Sequence, residues 1–340
     1  MKPEEALSYY NIEGAVEKIA PFGLGHINDT YLVQLENQDL LLQRINTSIF
    51  KNTKALEHNL KLVFDTASDL FPSHFKTNHG NYHLQEHNEV WRLQKLITNS
   101  DAPAFVDGTK TAFQIGLGFG QFTHKLIEID ANQAQEAIPE FLNLGLRIEK
   151  FEDVVYSNPL NRNAIADELI QKALGYRWIK RHFMNLIKKG LPERVCHNDT
   201  KSTNILLDKS SGKFLKVIDL DTIGPGHVMF DFGDMIRSMA THAEEDSRDT
   251  LNSKLRPELI EANRKGYLEA CGSVLTDQEI ESLNFGTLYM TYFTGVRMLT
   301  DYLEGDIYYR IEQADDNLVR ARNQFYVLDL LSAYFNFNNG

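Results

Sequence analysis

The chain has 340 residues, 42% hydrophobic and 24% charged, which suits a globular protein of about two lobes, each with its own core. A formal net charge of -12 excludes the basic footprint that a nucleic-acid backbone requires, so no nucleic acid is expected as partner. Cys196 and Cys271 make no disulfide framework, no run of about 18 apolar residues exists to span a membrane, and residues 1–5 (MKPEE) lack a secretion signal; a cytoplasmic protein with no membrane partner is expected.

In chain order, residues 16–20 and 30–35 alternate as strands around the turn 22–29 (FGLGHIND). Gly23 and Gly25 in such a turn let backbone N–H groups approach phosphate oxygens, although a plain hairpin has the same composition. Residues 39–45 (DLLLQRI) read as a third strand that offers Gln43 and Arg44, in place of a lysine, as its candidate contacts to nucleotide phosphates. Residues 51–68 form an amphipathic helix with Leu56, Leu60, Val63 and Ala67 on one face; its Glu57 either pairs with the third strand or is solvated. A last strand, 90–97, leads to the short polar stretch 98–101 (TNSD), which suits a hinge between lobes.

Beyond it the patterns are mostly helical. Residues 112–126 form one helix, so Gly116, Gly118 and Gly120 inside it are expected to permit close packing and not to cradle phosphate. Further helices are expected at 165–189, 257–271, 276–302 and 313–335, and there is no internal repeat. The expected fold class is therefore α+β and bilobal, a small β-rich lobe (1–98) followed by a large, mostly helical one (99–340).

The chemistry concentrates between residues 194 and 221. Residues 194–196 read as a short strand, 204–208 as another, and 209–212 (KSSG) as a hairpin turn whose return strand, 214–218, delivers Asp219. Between them, residues 197–204 (HNDTKSTN) meet the spacing H-x-D-x-x-x-x-N of protein-kinase catalytic loops; with the downstream Asp219 as a fourth specified residue, the coincidence is expected at roughly one start position in 10^5 by chance. Phosphoryl transfer passes through a loose, charge-rich transition state, so an enzyme mainly positions reactants and supplies positive charge. In that scheme Asp199 accepts the proton of an attacking hydroxyl, and Asn204 and Asp219 coordinate Mg2+ on the phosphates of ATP. Lys201 points at the terminal phosphate, and His197 braces the loop. Adenine is expected at the hinge backbone, which makes 1–98 the nucleotide-binding lobe and 99–340 the catalytic and substrate lobe. Residues 231–234 (DFGD) spell the protein-kinase metal motif but open a helical pattern, so Asp231 is expected to cap that helix or brace the loop. Asp221 either shares the metal or shapes the following turn. No paired CxxC, H-E-x-x-H, G-x-S-x-G or Walker spacing occurs, which disfavours zinc, serine-hydrolase and P-loop chemistry.

Together, residues 23–28 (GLGHIN), 43–46 (QRIN), the octapeptide, 218–222 (IDLDT) and 230–234 (FDFGD) resemble the aminoglycoside phosphotransferase and choline kinase superfamily. Residues 301–306 (DYLEGD) and 317–320 (NLVR) look most like its bacterial N-acetylhexosamine 1-kinases, which also lack the usual third-strand lysine. The resemblance spans nearly the whole chain. It implies a protein-kinase-like fold and transfer of the ATP γ-phosphate to the anomeric hydroxyl of N-acetylglucosamine or N-acetylgalactosamine. Position by position it implies Asp199 as base, Asn204 and Asp219 as magnesium ligands, and His26, Arg297 and Tyr308 lining the sugar pocket. A small-molecule sugar is thus the expected partner, of a monomer or weak dimer. The residues by themselves reach only to a hydroxyl or amine acceptor phosphorylated by ATP. Aminoglycosides, choline and homoserine stay open at this point, as does a non-catalytic nucleotide-binding protein.

Overall fold

The computed structural model describes residues 1–23, 27–242, 247–248 and 253–337. Alternating residues in the first hundred positions build an antiparallel sheet, preceded by the short α1 (Pro3–Leu7). Its strands are β1 (Val16–Pro21), β2 (Asp29–Leu35), β3 (Asp39–Ile45), β4 (His74–Phe75), β5 (His83–Glu86) and β6 (Glu89–Lys95). The order is β1-β2-β3-β6-β4, with β5 also paired to β6. Leu40, Leu42, Trp91 and Leu93 share one face and bury against Ala6, Leu7 and Tyr10, whose hydroxyl donates to the Trp91 carbonyl at 2.9 Å. Each such side chain contributes roughly 1.5–3 kcal/mol on burial. Ile45 and Val90 on the opposite face pack against Ala55 and Leu56 of α2 (Thr53–Ala67), which Asn52 caps by accepting from the Ala55 N–H.

Two strands in this region were not expected, and one expectation needs correction. The strands β4 and β5, two and four residues long, are too short to leave a readable period. Glu57 neither reaches β3 nor sits in solvent: it accepts from the Tyr82 N–H at 3.0 Å, the His83 N–H at 2.8 Å and His83 Nδ1 at 2.9 Å. A carboxylate on α2 thus holds β5, and hydrogen bonds from His83 and Tyr82 outweigh burial to depress its pKa.

The remaining chain is mainly helical: α3 (Thr109–Leu126), α4 (Leu144–Ser157), α5 (Asn163–Gly175), α6 (Trp178–Lys188), α7 (Val228–Met239), α8 (Pro257–Cys271), α9 (Asp277–Glu304) and α10 (Asp316–Tyr334). The single helix expected at 165–189 is two, α5 and α6, divided at Tyr176 and Arg177. The Tyr176 hydroxyl is anchored on Asp329 at 2.8 Å, which suits a turn better than a helix interior. The glycines of α3 do serve packing. A Cβ on Gly116 would fall 2.1 Å from the Asn263 carbonyl oxygen of α8, and one on Gly266 of α8 would fall 2.2 Å from that of Phe113, so the two backbones touch. The central strut is α9, buried on nearly every side. Thr276 and Glu279 close a reciprocal capping box at its start, and Gly305, at φ 107°, ends it. No helix among the described residues is long and apolar enough to cross a membrane.

Four short elements carry the site. β8 (Arg194–Cys196) pairs with β11 (Gly224–Gly226), and β9 (Ile205–Asp208) pairs with β10 (Phe214–Val217). The expected hinge contains β7 (Ser100–Asp101), which adds to the edge of β9, while the Lys209 N–H donates to the Asn99 carbonyl at 2.9 Å. Residues 98–101 are therefore tied to the β9–β10 hairpin.

Candidate active site

Residues 197–204 leave β8 and are held from behind by one buried carboxylate on α7. Asp231 accepts the His197 N–H at 2.9 Å on one oxygen and the Asn198 N–H at 2.7 Å on the other, and its own carbonyl accepts from the Thr200 hydroxyl. Burial pushes the Asp231 carboxyl up to about 6, against these hydrogen bonds. His197 bonds through Nε2 to the Ile218 carbonyl at 3.0 Å and meets Phe119 and Phe122 edge-on, which is a bracing position. The Thr222 hydroxyl donates to the His197 carbonyl at 2.8 Å, and the Ile218 N–H to the Asn204 carbonyl at 3.0 Å. These bonds lock the octapeptide to the hairpin that delivers Asp219. Asn198, the residue before Asp199, turns the chain at φ 65°.

Asp199 accepts from the Asn204 amide at 2.9 Å and pairs with Lys201 Nζ at 3.2 Å. Burial would raise its pKa, but Lys201 and the Asn204 amide prevail and hold it below the ordinary range. Lys201, held mainly by Asp199, is shifted up and carries a fixed positive charge. Asp219 follows β10 in a left-handed conformation, φ 60°, that turns its carboxylate out of the strand direction. Burial, then Asp221, then Asp199 raise it to about 7. A carboxylate so crowded by others calls for a cation. Asn204 gives its amide hydrogens to Asp199, and among the described residues its Oδ1 accepts no hydrogen bond. No cluster of three His, Cys, Asp or Glu side chains stands ready to hold a metal alone among the described residues. Magnesium does not need one: it is commonly held by one or two carboxylates plus substrate phosphates, and Asp219 with Asn204 fits that arrangement.

The expected nucleotide contacts divide. Gln43 lies on the sheet face that carries the buried Arg92, accepting from its Nε at 2.8 Å, and Arg92 continues to Asp221. Arg44 occupies the other face, paired with Asp29 and, at 3.3 Å, with Glu89, and is not brought to these groups. Gly23 adopts φ 77°, as a glycine turn requires; Gly25 and His26 lie outside the described residues.

Arg297 projects from α9 into a box of aromatic rings: its guanidinium carbon lies 5.1 Å from the centre of Tyr308, 5.4 Å from Phe293, and 5.5 Å from both Phe141 and Tyr309. Burial opposes its charge, but Tyr309, Tyr308 and the more distant Asp199 outweigh that and raise its pKa. A second guanidinium, Arg147, shares this small cavity and is shifted down by burial and by Arg297. The two tyrosines are placed by Asp301, which accepts the N–H groups of Ile307 at 2.9 Å, Tyr308 at 2.8 Å and Tyr309 at 2.9 Å, and the Asn317 amide at 2.9 Å. A separate cavity of about 450 Å³ lies along the back of the loop, lined by Asn198, Phe141, Phe183, His227 and Tyr289 among others, and by none of Asp199, Asn204 or Asp219.

Arg92 and Arg147 were not among the expected site residues, and Asp301 stood only within the motif 301–306, with no role assigned. For Arg92 a signal existed, a charge at an inward position of the alternation 90–94; Asp301 bonds backbone, which no motif records.

A family model described as the phosphotransferase enzyme family (APH) matches residues 18–271. Among solved structures, a microcompartment-associated aminopropanol kinase shares 14% identity at a TM-score of 0.64, over 98% of this chain and 97% of that one. A spectinomycin phosphotransferase, solved with ADP and spectinomycin, shares 15% at 0.61, over 97% and 96%. A choline kinase from Streptococcus pneumoniae shares 15% at 0.57, over 96% of both chains. At such identities the structures speak for the fold, α+β and protein-kinase-like, while the model matches three quarters of the sequence. The chain belongs to the phosphotransferase enzyme family (APH).

Proposed function

We propose that this phosphotransferase is an N-acetylhexosamine 1-kinase, transferring the γ-phosphate of ATP to the anomeric hydroxyl of N-acetylglucosamine or N-acetylgalactosamine. Asp199 takes the proton of that hydroxyl as its oxygen attacks phosphorus; the bond from phosphorus to the β,γ-bridging oxygen breaks, and ADP leaves. Its depressed pKa keeps Asp199 ionised, and its hydrogen bond from Asn204 aims it. Asp219 and Asn204 would hold Mg2+, which when bound would offset the negative charge of the nucleotide phosphates. Lys201 adds a fixed charge beside the transferring group. Gly23, Gly25 and Gln43 belong to the nucleotide side, with the lobe boundary at residues 98–99. Arg44, paired on the opposite sheet face, is left out of the nucleotide role.

One observation carries the choice of acceptor. The aromatic box around Arg297 resembles a cation cage whose cation is already in place. Glu304 is paired with Lys150 at 2.7 Å, and of the remaining charged groups lining the cavity Arg147 and Arg297 outnumber Asp301, whose oxygens accept backbone N–H groups, so the lining is net positive. That repels the quaternary ammonium of choline and the amines of an aminoglycoside. It favours a neutral acceptor with carbonyl and hydroxyl oxygens, to which an arginine donates and on which Tyr308 stacks. His26 is assigned to the same acceptor on the resemblance alone.

The test is a coupled ADP-release assay across N-acetylglucosamine, N-acetylgalactosamine, choline, homoserine and spectinomycin. The expected result is turnover with one or both hexosamines and none with the cationic acceptors. Turnover confined to a non-sugar refutes the hexosamine assignment and leaves the phosphotransferase intact.

A further inference from the structure

We propose that Arg92 is the residue through which the amino-terminal sheet positions the Asp219 turn. Gln43 and Arg92 stand opposite each other in the β3–β6 register, on the sheet face turned toward the helical region. Gln43 Oε1 accepts from Arg92 Nε at 2.8 Å, while Gln43 Nε2 donates to the Thr30 hydroxyl at 3.0 Å, so three strands fix the guanidinium. Arg92 Nη1 then pairs with Asp221 Oδ1, and both side chains are almost wholly buried, at 4% and 3% exposure. The other carboxylate oxygen is taken by the Asn28 amide at 2.8 Å, and Asn28 Oδ1 accepts the Asn46 N–H at 3.0 Å.

Asp221 is thus held at both oxygens by the sheet, two residues beyond Asp219, in the short turn Leu220–Thr222. Two consequences follow. The turn cannot rotate without breaking a buried ion pair, so the direction of the Asp219 carboxylate is set from the sheet that covers the nucleotide. Asp221 is also withheld from the metal, which leaves Asp219 as the carboxylate of that turn able to take it. Separating one partner from such a pair strands the other charge in a low-dielectric setting, and the geometry is correspondingly stiff. Arg92 is a positioning residue: Nε is committed to Gln43 and Nη1 to Asp221, and through that pair it acts on the metal turn.

The inference rests on Asp219 holding magnesium but not on which acceptor is used. Calorimetric binding of a non-hydrolysable ATP analogue to the full chain, with and without Mg2+ and without acceptor, tests it. Arg92→Met is expected to weaken the magnesium-bound analogue by about tenfold or more while the metal-free analogue stays within about twofold. Arg92→Lys, which keeps the charge but not the two-point geometry, should fall between, and Asp221→Asn should move the same way. Arg92→Met/Asp221→Leu, which orphans no charge, carries the same expectation if a single variant does not fold, and should lose no more than the worse single change. Equal losses with and without Mg2+, or no loss in either, overturn the proposal. Asp219→Ala serves as the separating arm: if it leaves the magnesium enhancement intact, the metal-ligand reading has failed and not merely the role of Arg92.

Discussion

Asp231 and Asp301 do the same structural work on two sides of the site. Each is a buried carboxylate whose oxygens accept backbone N–H groups of a loop: His197 and Asn198 for Asp231, Ile307, Tyr308 and Tyr309 for Asp301. They differ in what the loop presents. Asp231 reaches across 33 and 34 positions to hold the loop that carries Asp199, whereas Asp301 reaches only six to eight positions to hold two aromatic rings over Arg297. On the proposed function, one device would serve the chemistry on one side and acceptor recognition on the other, and the two should separate kinetically.

The sharpest break comes from Asp199→Asn, which removes the proton acceptor but keeps shape and the neighbouring amide. Its kcat should drop by about 10²–10⁴-fold with nucleotide affinity little changed, as single-turnover kinetics and calorimetry would show. Near-normal turnover would remove Asp199 from its role. Next is Asp231→Asn, which leaves one acceptor oxygen for two N–H donors. The loop should loosen, with kcat lower by about 10–100-fold and acceptor KM within about threefold. Asp301→Asn should show the opposite split, an acceptor KM raised by about tenfold with ATP KM unchanged. If both variants change the same parameter, the division between the two loops is wrong.

The smallest effect belongs to Glu279, a buried carboxylate that caps α9 and pairs with Arg194 at 2.9 Å, remote from the acceptor cavity. Burial alone would raise its pKa, but hydrogen bonds from Arg194 and Thr276 hold it below the ordinary range. A depressed folded value contributes stability above the unfolded pKa near 4.5 and loses it as pH falls through the folded value. Glu279→Gln should therefore cost about 1–3 kcal/mol at pH 7 in thermal or urea unfolding, with the difference shrinking below about pH 4 and both KM values unmoved.

Much of this was legible in the residues. Period-two alternation marked β2 and β3 to within a residue, and the octapeptide spacing placed Asp199, Asn204 and Asp219 together because a hairpin leaves its ends adjacent. The helical context of Asp231 led to two readings, a helix cap or a brace for the loop; His227 is the N-cap of α7, and Asp231 braces the loop by accepting the His197 and Asn198 N–H groups. What stayed hidden was long-range or backbone-directed. The Arg92–Asp221 pair joins residues 129 positions apart, and nothing local in either segment names the other. Arg44 was a candidate nucleotide contact as the cation of a strand that lacks the usual lysine, yet it faces away from Gln43, because adjacent strand residues point opposite ways. Asp301 gave no signal of its task, since an aspartate accepting N–H groups looks in sequence like any other. The break between α5 and α6 escaped because apolar spacing continues across it while the tertiary anchor of Tyr176 decides the turn.

The most direct measurement is phosphorus NMR of the products formed from ATP and N-acetylglucosamine. The account predicts a single new phosphate resonance coupled to the anomeric proton, growing with ADP, and its absence in the Asp199→Asn protein. Phosphate on another hydroxyl, or no sugar phosphate while choline or spectinomycin is consumed, would contradict it.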